Sequence, residues 1–153
     1  MILEINKFLK NLSSSGRIIG IDFGIKNIGL ALSDTSQTIA SAYDTWDNQT
    51  FWRKFPVLVG TEEVVGIIIG NPKFMSGQDS EITLLAQKFA QKIEAAYPEL
   101  PIAMWDERLS SSAVERMLIE KVDMSRAKRK DVIDKLAASY ILQGALDFLK
   151  NKV

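Results

Sequence analysis

Short apolar runs separated by turn residues predict five strands. Four of the five adjoin Gly, Pro, Asn or Ser, and several are dominated by Ile, Leu and Val, as is typical of buried strands. The first two runs are joined by a Gly-containing turn and predict a hairpin. The predicted strands cover residues 17–22, 28–32, 38–45, 64–69 and 102–105.

Apolar residues at helical spacing predict helices before, between and after these strands. The clearest pattern covers residues 81–97, where Ile82, Leu85, Phe89 and Ile93 share one face. Further helices are predicted over residues 2–12, 51–62, about 112–121, and from Asp134 towards the C-terminus. A hairpin followed by alternating helices and strands favours an α/β fold, with helices packed on a mixed sheet.

Composition restricts the chemistry that this chain can perform. Its 153 residues are enough for one domain with a substantial core, and they include no His and no Cys. Ser–His triads, cysteine nucleophiles, disulfides and thiolate zinc sites are therefore excluded. A metal site would consist of oxygen ligands, the set that Mg²⁺ and Mn²⁺ prefer.

Three acids lie where predicted buried elements begin or end. Asp22 closes the first strand, Glu107 follows the last strand and Asp106, and Asp134 opens the last helix. Ligands of open α/β sheets bind at the carboxyl ends of strands, so we expect the three acids to converge on one divalent cation. Alternation along a strand points Asp106 and Glu107 to opposite faces, so one of the two should reach the shared site.

Each acid taken alone also fits a structural role. Asp22 could cap the hairpin turn, and Asp134 near a helix N-terminus is favoured by the helix dipole. Residues 106–108 could form a surface ion-pair cluster. The functional interpretation therefore depends on the acids occurring together.

The net charge of zero means that contact with nucleic acid requires a local basic patch. Residues 126–130 contain four cations and are predicted as part of a polar loop over residues 122–130. They could grip a phosphate backbone or form a solvated loop. Lys26, Lys73 and Arg108 would extend the patch if they lie at the same edge of the sheet.

No segment predicts export or membrane insertion. The N-terminal residues are interrupted by Glu4, Lys7 and Lys10, unlike a signal peptide, and no stretch approaches the roughly 20 apolar residues of a membrane span. The expected location is the cytoplasm, without membrane association.

Several short motifs occur together along about residues 17–150. They are Gly20-Ile21-Asp22-Phe23-Gly24 with Lys26, Ile28-Gly29-Leu30-Ala31 with Ser33-Asp34, Ile69-Gly70-Asn71-Pro72 with Gly77, Asp106-Glu107-Arg108-Leu109-Ser110, and Lys128-Arg129-Lys130 followed by Ile133-Asp134-Lys135-Leu136-Ala137-Ala138 and Ile141-Leu142. In this order and spacing they resemble the YqgF family, also called RuvX, of RNase H-like nucleases. Asn71 departs from the family pattern, which usually has Leu before Pro72.

The resemblance implies an RNase H-like fold with a five-stranded mixed sheet flanked by helices on both faces. It implies a nuclease domain over residues 17–153, preceded by a helical extension over residues 1–16. The implied activity is metal-dependent phosphodiester hydrolysis in the 5′-end maturation of pre-16S ribosomal RNA. The implied catalytic acids are Asp22, Glu107 and Asp134, which would bind Mg²⁺ or Mn²⁺. We expect the cations Lys26, Arg108, Lys128, Arg129 and Lys130 to bind the phosphates of the substrate.

The expected partners are nucleic acid and a pre-ribosomal particle. The family is also described as a Holliday junction resolvase by analogy with RuvC, so branched DNA is an alternative to structured RNA. A resolvase would need a homodimer with two active sites, and the sequence does not decide between monomer and homodimer.

A non-catalytic RNA-binding ribosome-assembly factor would keep the cations without needing the acids. An actin-like ATPase or sugar kinase shares Asp-x-Gly after its first strand but usually has two such domains.

Overall fold

The computed structural model describes residues 2–71, 81–106 and 126–151, and for residues 126–135 the backbone alone. Within these residues, a six-stranded mixed sheet is flanked by helices on both faces. The strands are β1 (Ile2–Leu3), β2 (Arg17–Asp22), β3 (Ile28–Ser33), β4 (Ala40–Trp46), β5 (Val64–Asn71) and β6 (Ile102–Asp106). The helices are α1 (Ile5–Asn11), α2 (Asn48–Thr61), α3 (Glu81–Ala96) and α4 (Arg126–Lys150).

The strand order β1-β6-β5-β2-β3-β4 brings several strand ends together. Strands β1, β6, β5 and β2 are parallel, whereas β3 is antiparallel to both β2 and β4. The carboxyl ends of β2, β4, β5 and β6 therefore lie at one edge of the sheet, here called the carboxyl edge. The predicted mixed sheet with helices on both faces is confirmed, with one strand more than the five predicted.

The additional strand comes from the N-terminal segment, which the sequence predicts as one helix over residues 2–12. Ile2 and Leu3 instead pair with Ile102 and Ala103 of β6, and the helix begins at Ile5. Local helical spacing did not reveal this pairing because the partner strand is a hundred residues away in the chain. Phe8 of α1 is fully buried, so the N-terminal segment contributes to the core.

One face of the sheet, here called the aromatic face, packs against α2 and α3. Ile21 and Ile69 of the sheet cluster there with Phe51, Phe55 and Phe89 of the two helices. The ring centroids of Phe51 and Phe55 are 4.5 Å apart, and those of Phe51 and Phe89 are 5.0 Å apart. Large rings dominate this half of the core.

The opposite face, here called the α4 face, packs against α1 and α4 and contains more small side chains. Ala31 and Ala103 of the sheet cluster there with Ala138 and Ala145 of α4. Small residues allow a helix backbone to approach a sheet closely. Among the described helices, α4 included, none is long and apolar enough to span a membrane.

Helix α4 begins earlier than the sequence predicts. Residues 126–130, predicted as part of a loop, form its first turns, and Asp134 lies eight residues into the helix rather than at its start. The prediction was wrong because it treated consecutive cations as a loop signal, although Ala, Lys and Arg all have high helix propensity. The helix predicted over about residues 112–121 lies outside the described residues.

Candidate active site

Asp22 lies at the carboxyl edge, between two glycines on the neighbouring strands. It is the last residue of β2, is half-buried, and pairs with Gly29 of β3. On its other side Ile21 pairs with Ile69 of β5, which places Gly70 beside Asp22. Neither neighbour has a side chain, so neither places side-chain atoms on the sheet surface beside Asp22.

Helix α4 crosses β2 in close contact just below Asp22. A Cβ atom at Gly20 would lie 2.6 Å from Leu142 Cβ and 3.1 Å from the Ala138 carbonyl oxygen. The contact therefore requires glycine at position 20, and it places Gly20 on the α4 face. Because side chains alternate along a strand, Asp22 belongs to the same face.

The direction of α4 brings Asp134 towards Asp22. Leu146 and Leu149 near the end of α4 line a groove with Ile18 at the start of β2, whereas Ala138 and Leu142 contact Gly20. The helix thus runs antiparallel to the strand. Moving from Gly20 to Asp22 covers about 6.6 Å along the strand. Moving from Ala138 back to residue 134 covers about 6 Å along the helix axis. The backbone at Asp134 is therefore level with Asp22.

Asp106 belongs to the other face of the sheet. It pairs with Asn71 at the end of β5, two residues after Met104, which packs against the aromatic-face cluster. By alternation, Asp106 is on the aromatic face, and the next position, 107, would be on the α4 face if the strand continued. Glu107 itself lies outside the described residues, as does Arg108.

The turn that follows Asp22 fixes the exit of the chain from the edge. A Cβ atom at Gly24 would lie 2.5 Å from the carbonyl oxygen of Asn27. Glycine is therefore required here by the close approach of the turn backbone. The same turn presents Lys26 as an exposed cation, at the end of the sheet that carries Asp22. The predicted cations Lys128, Arg129 and Lys130 lie in the first turns of α4, before residue 134 in the chain.

The residues paired with one another across the sheet at the level of Asp22 are here called the Asp22 row. Two further members of this row have buried polar atoms that the sequence did not single out. Thr45 pairs with Gly29, and Trp105 pairs with Gly70, so each is one strand beyond a glycine neighbour of Asp22. Within the described chain, Thr45 Oγ1 and Trp105 Nε1 are buried without a hydrogen-bond partner. Such atoms are uncommon in native proteins and often bind a water, an ion or a ligand. No local sequence signal marks them, because the row is formed by strand register.

Two other acids have structural roles. Asp47 caps α2 by accepting the Thr50 N–H at 2.7 Å, and this hydrogen bond lowers the pKa of Asp47. Asp34 accepts the N–H groups of Ile39 at 3.0 Å and Thr38 at 2.7 Å, and these bonds lower the pKa of Asp34 to about 2. Both carboxylates are therefore held by backbone N–H groups of nearby residues.

The residues at this edge fit a hard divalent cation. Among residues 2–71, 81–106 and 126–151, no group of three or more potential His, Cys, Asp or Glu ligands is complete. Two of the three predicted acids, however, have side chains outside that description. The chain has no His or Cys, so its ionisable candidate ligands are carboxylates, which suit Mg²⁺ or Mn²⁺.

Comparison with known proteins identifies the family. The sequence model described as "RuvX: Holliday junction resolvase" matches residues 16–148. The chain belongs to the RuvX family. A relative from Paramagnetospirillum magneticum, named "Putative pre-16S rRNA nuclease", is 44% identical over 149 residues, covering 95% of each chain. A relative of the same name from Thermoanaerobacter pseudethanolicus is 45% identical over 89% of this chain and 99% of its own.

Solved structures agree with the RuvX assignment at the level of the fold. The yeast mitochondrial Holliday junction resolvase matches with a TM-score of 0.52 and 12% identity, over 96% of this chain and 86% of its own. RuvC from T. thermophilus in complex with a Holliday junction substrate matches with a TM-score of 0.53 and 14% identity, over 90% of this chain and 98% of its own. These matches confirm the predicted RNase H-like fold. The family and the relatives' names agree with the predicted phosphodiester hydrolase.

Proposed function

We propose that this RuvX family member is a metal-dependent nuclease that hydrolyses phosphodiester bonds in the 5′-end maturation of pre-16S ribosomal RNA. The observation that carries the proposal is the placement of Asp22 between two glycines at the carboxyl edge, level with Asp134 of α4. The relatives' names support ribosomal RNA as the substrate. The site is proposed to act in the cytoplasm, on a pre-ribosomal particle.

The site is proposed to consist of Asp22, Glu107 and Asp134. Position 107 follows the aromatic-face residue Asp106 and would be on the α4 face by alternation. Position 134 precedes Ala138 by four residues and shares its helical stripe, and the stripe contacts β2 at Gly20. These three acids would hold Mg²⁺ or Mn²⁺, whereas Asp106 on the opposite face would not.

When bound, the cation lowers the pKa of a water and stabilises the charge that develops on the phosphate. The residues of the chain then have two tasks. Asp22, Glu107 and Asp134 would hold the cation at the carboxyl edge, next to the scissile phosphate. Lys26, Arg108 and the residues Lys128, Arg129 and Lys130 bind neighbouring phosphates. The N-terminal end of α4 carries a partial positive charge that adds to this attraction. No histidine base is required, in keeping with the composition.

A second candidate is resolution of four-way DNA junctions. The description of the family and the fold shared with junction-bound RuvC favour it. A resolvase must make two symmetric cuts and therefore acts as a homodimer, whereas processing of an RNA 5′ end requires one active site and is compatible with a monomer.

The two candidates can be separated with one pair of substrates. Purified protein is incubated with Mg²⁺ and either a labelled pre-16S 5′-leader RNA or a labelled four-way DNA junction, with Asp22→Asn as the inactive control. We expect Mg²⁺-dependent cleavage of the RNA that is absent in Asp22→Asn. Paired symmetric nicks in the junction, with the RNA intact, would replace the first proposal by the second. Equal cleavage by wild type and Asp22→Asn would contradict both.

A further inference from the structure

A groove between β4 and α2 lies on the aromatic face of the sheet, opposite the face to which Asp22 belongs, and is separate from the candidate active site. Its volume is about 450 Å³, and its lining includes Tyr43, Asp44, Trp46, Arg53, Lys54 and Val57. None of these residues belongs to the acids or cations that the sequence predicts for the site. The groove therefore needs an explanation of its own.

The groove combines aromatic and apolar surface that is open to solvent. Tyr43 is 43% exposed and Val57 is 64% exposed. The Tyr43 ring meets the buried Trp46 ring edge-on, with centroids 6.0 Å apart and an interplanar angle of 87°. The Tyr43 ring is thus supported from inside and has a surface available for stacking.

Two exposed cations of α2 line the same groove. Arg53 and Lys54 are the charged residues of α2, which contains no acid. Lys54 Nζ lies 5.9 Å from the centroid of the Trp46 ring. Arg53 contributes to the lowered pKa of Asp47, but the first cause of that shift is the hydrogen bond from Thr50. The charge of α2 facing the groove is therefore positive.

The acid in the groove is already engaged. Asp44 Oδ1 accepts the Thr45 N–H at 2.8 Å, and Asp44 Oδ2 accepts the Trp46 Nε1–H at 3.0 Å. These bonds hold the indole in place beneath Tyr43. Asp44 thus shapes the aromatic floor and keeps its negative charge, and with Arg53 and Lys54 the groove has a formal net charge of +1.

The sheet register places the groove close to Asp22. Thr45 pairs with Gly29, and Gly29 pairs with Asp22. Two steps between neighbouring strands separate Thr45 from Asp22 by about 10 Å. Asp44 and Trp46 flank Thr45 on the aromatic face, so a chain bound at Asp22 could pass over the carboxyl edge and enter the groove.

We propose that the β4–α2 groove binds an unpaired nucleotide of the RNA substrate next to the cleavage site. This inference rests on the proposed function. The base stacks on Tyr43 and Val57, and the phosphates contact Arg53 and Lys54. Aromatic side chains combined with cations are the usual means of binding single-stranded nucleic acid, because every base has a face that can stack. The groove would therefore select RNA that is single-stranded on this side of the scissile bond.

The test measures binding of a fluorescein-labelled single-stranded RNA in EDTA, so that cleavage does not interfere. Tyr43→Ala should weaken binding at least about fivefold, whereas Tyr43→Phe retains the ring and should bind like wild type. Arg53→Ala with Lys54→Ala should reduce the slope of log K against log salt by about 1.4, because each phosphate contact on a single strand contributes about 0.7. A fully paired RNA duplex of the same sequence should be insensitive to Tyr43→Ala.

The matched control is Lys7→Ala with Lys10→Ala, which removes two exposed cations from α1 on the other face of the sheet. It should leave the slope unchanged, and thermal melts confirm that every variant is folded. Wild-type affinity and slope in the groove variants would overturn the inference. Weakening of duplex and single strand to the same extent, or binding of an acidic peptide in place of RNA, would also overturn it.

Cleavage assays in Mg²⁺ separate this inference from the proposed function. If wild type cleaves RNA and the groove variants bind RNA as tightly as wild type, the nuclease assignment stands and the proposed role of the groove is wrong. RNA binding that depends on the groove, with cleavage absent or independent of Asp22, would support the groove and contradict the nuclease assignment.

Discussion

The two faces of the sheet are built from different side chains and have different consequences. The aromatic face fills its volume with large rings such as Phe51, Phe55 and Phe89, whereas the α4 face uses Gly20, Ala31, Ala138 and other small residues. Large rings bury much apolar surface and dominate stability. Small residues contribute less of that surface but let α4 approach β2, which brings residue 134 level with Asp22. The aromatic face thus contributes most to stability, and the α4 face positions the site.

The largest effect on stability should come from the aromatic face. Phe51 is fully buried and contacts the rings of Phe55, Trp52 and Phe89. Phe51→Ala should lower the free energy of unfolding by about 3–5 kcal/mol, because it removes buried surface and leaves a cavity. Urea denaturation measures this change. Cleavage by the remaining folded protein should stay close to that of wild type. If fully folded Phe51→Ala protein lost most of its activity, the aromatic face would also be needed to position the site.

A smaller loss of stability, with a larger effect on the site, should follow substitution at Gly20. Gly20→Ala places a Cβ 2.6 Å from Leu142 Cβ, so α4 must shift. Overpacking of this kind costs about 1–3 kcal/mol, and the shift should also weaken the response to Mg²⁺. Denaturation and Mg²⁺-dependent melting together measure both effects.

Gly60 provides the matched control for Gly20. A Cβ at Gly60 would meet no atom within 4 Å, and the residue lies in the last turn of α2. Gly60→Ala should raise stability by about 0.5–1 kcal/mol, because alanine favours the helix. Its Mg²⁺ response should not change. If Gly20→Ala resembled Gly60→Ala in both measurements, the close contact of α4 with β2 would not position the site.

Mg²⁺ should raise the melting temperature by a modest amount. Clustered acids repel each other without a cation, and a ligand that binds the native state stabilises it. At ten times the dissociation constant, the gain is about 1.4 kcal/mol. Asp22→Asn should remove most of this gain, which differential scanning calorimetry measures in paired scans with Mg²⁺ and EDTA. An undiminished shift in Asp22→Asn would place the cation elsewhere.

The smallest effect should come from Asp34, in a turn between β3 and β4 away from the carboxyl edge. Its pKa is lowered from 3.8 to about 2 by hydrogen bonds from Ile39 and Thr38. A depressed pKa means that the charged carboxylate stabilises the native state above pH 4, and that this contribution is lost as the pH falls towards 2. The difference in melting temperature between wild type and Asp34→Asn should therefore be greatest above pH 4 and shrink towards pH 2. Activity at neutral pH should be unaffected, and a pH-independent difference would show that the charge is irrelevant.

Local patterns predicted the elements whose signal lies within a few residues. The apolar run over residues 17–22 coincides with β2, and the helical spacing over 81–97 matches α3 to within one residue. The pairing of Ile2 and Leu3 with β6 was missed because it depends on a distant strand. The helical start at Arg126 was missed because a run of cations was weighed above helix propensity.

For the candidate site, the sequence identified Asp22 and its edge but not its surroundings. Strand ends and the family resemblance were sufficient to name the acids. The glycines at 29 and 70, and Thr45 beyond, become neighbours of Asp22 only through strand register. Register depends on long-range pairing, which one sequence does not display. The roles of Asp22, Glu107 and Asp134 remain predictions.

Binding of Mn²⁺ to three proteins tests the central claim most directly. Electron paramagnetic resonance measures free Mn²⁺ during titration of wild type, Asp22→Asn and Asp106→Asn. Asp22 and Asp106 end the parallel strands β2 and β6, which are separated by β5, at the same edge of the sheet but on opposite faces. If the α4 face holds the site, Asp106→Asn should bind like wild type, and Asp22→Asn should bind at least about tenfold more weakly. Unchanged affinity in Asp22→Asn, or selective loss in Asp106→Asn, would contradict a cation site centred on Asp22.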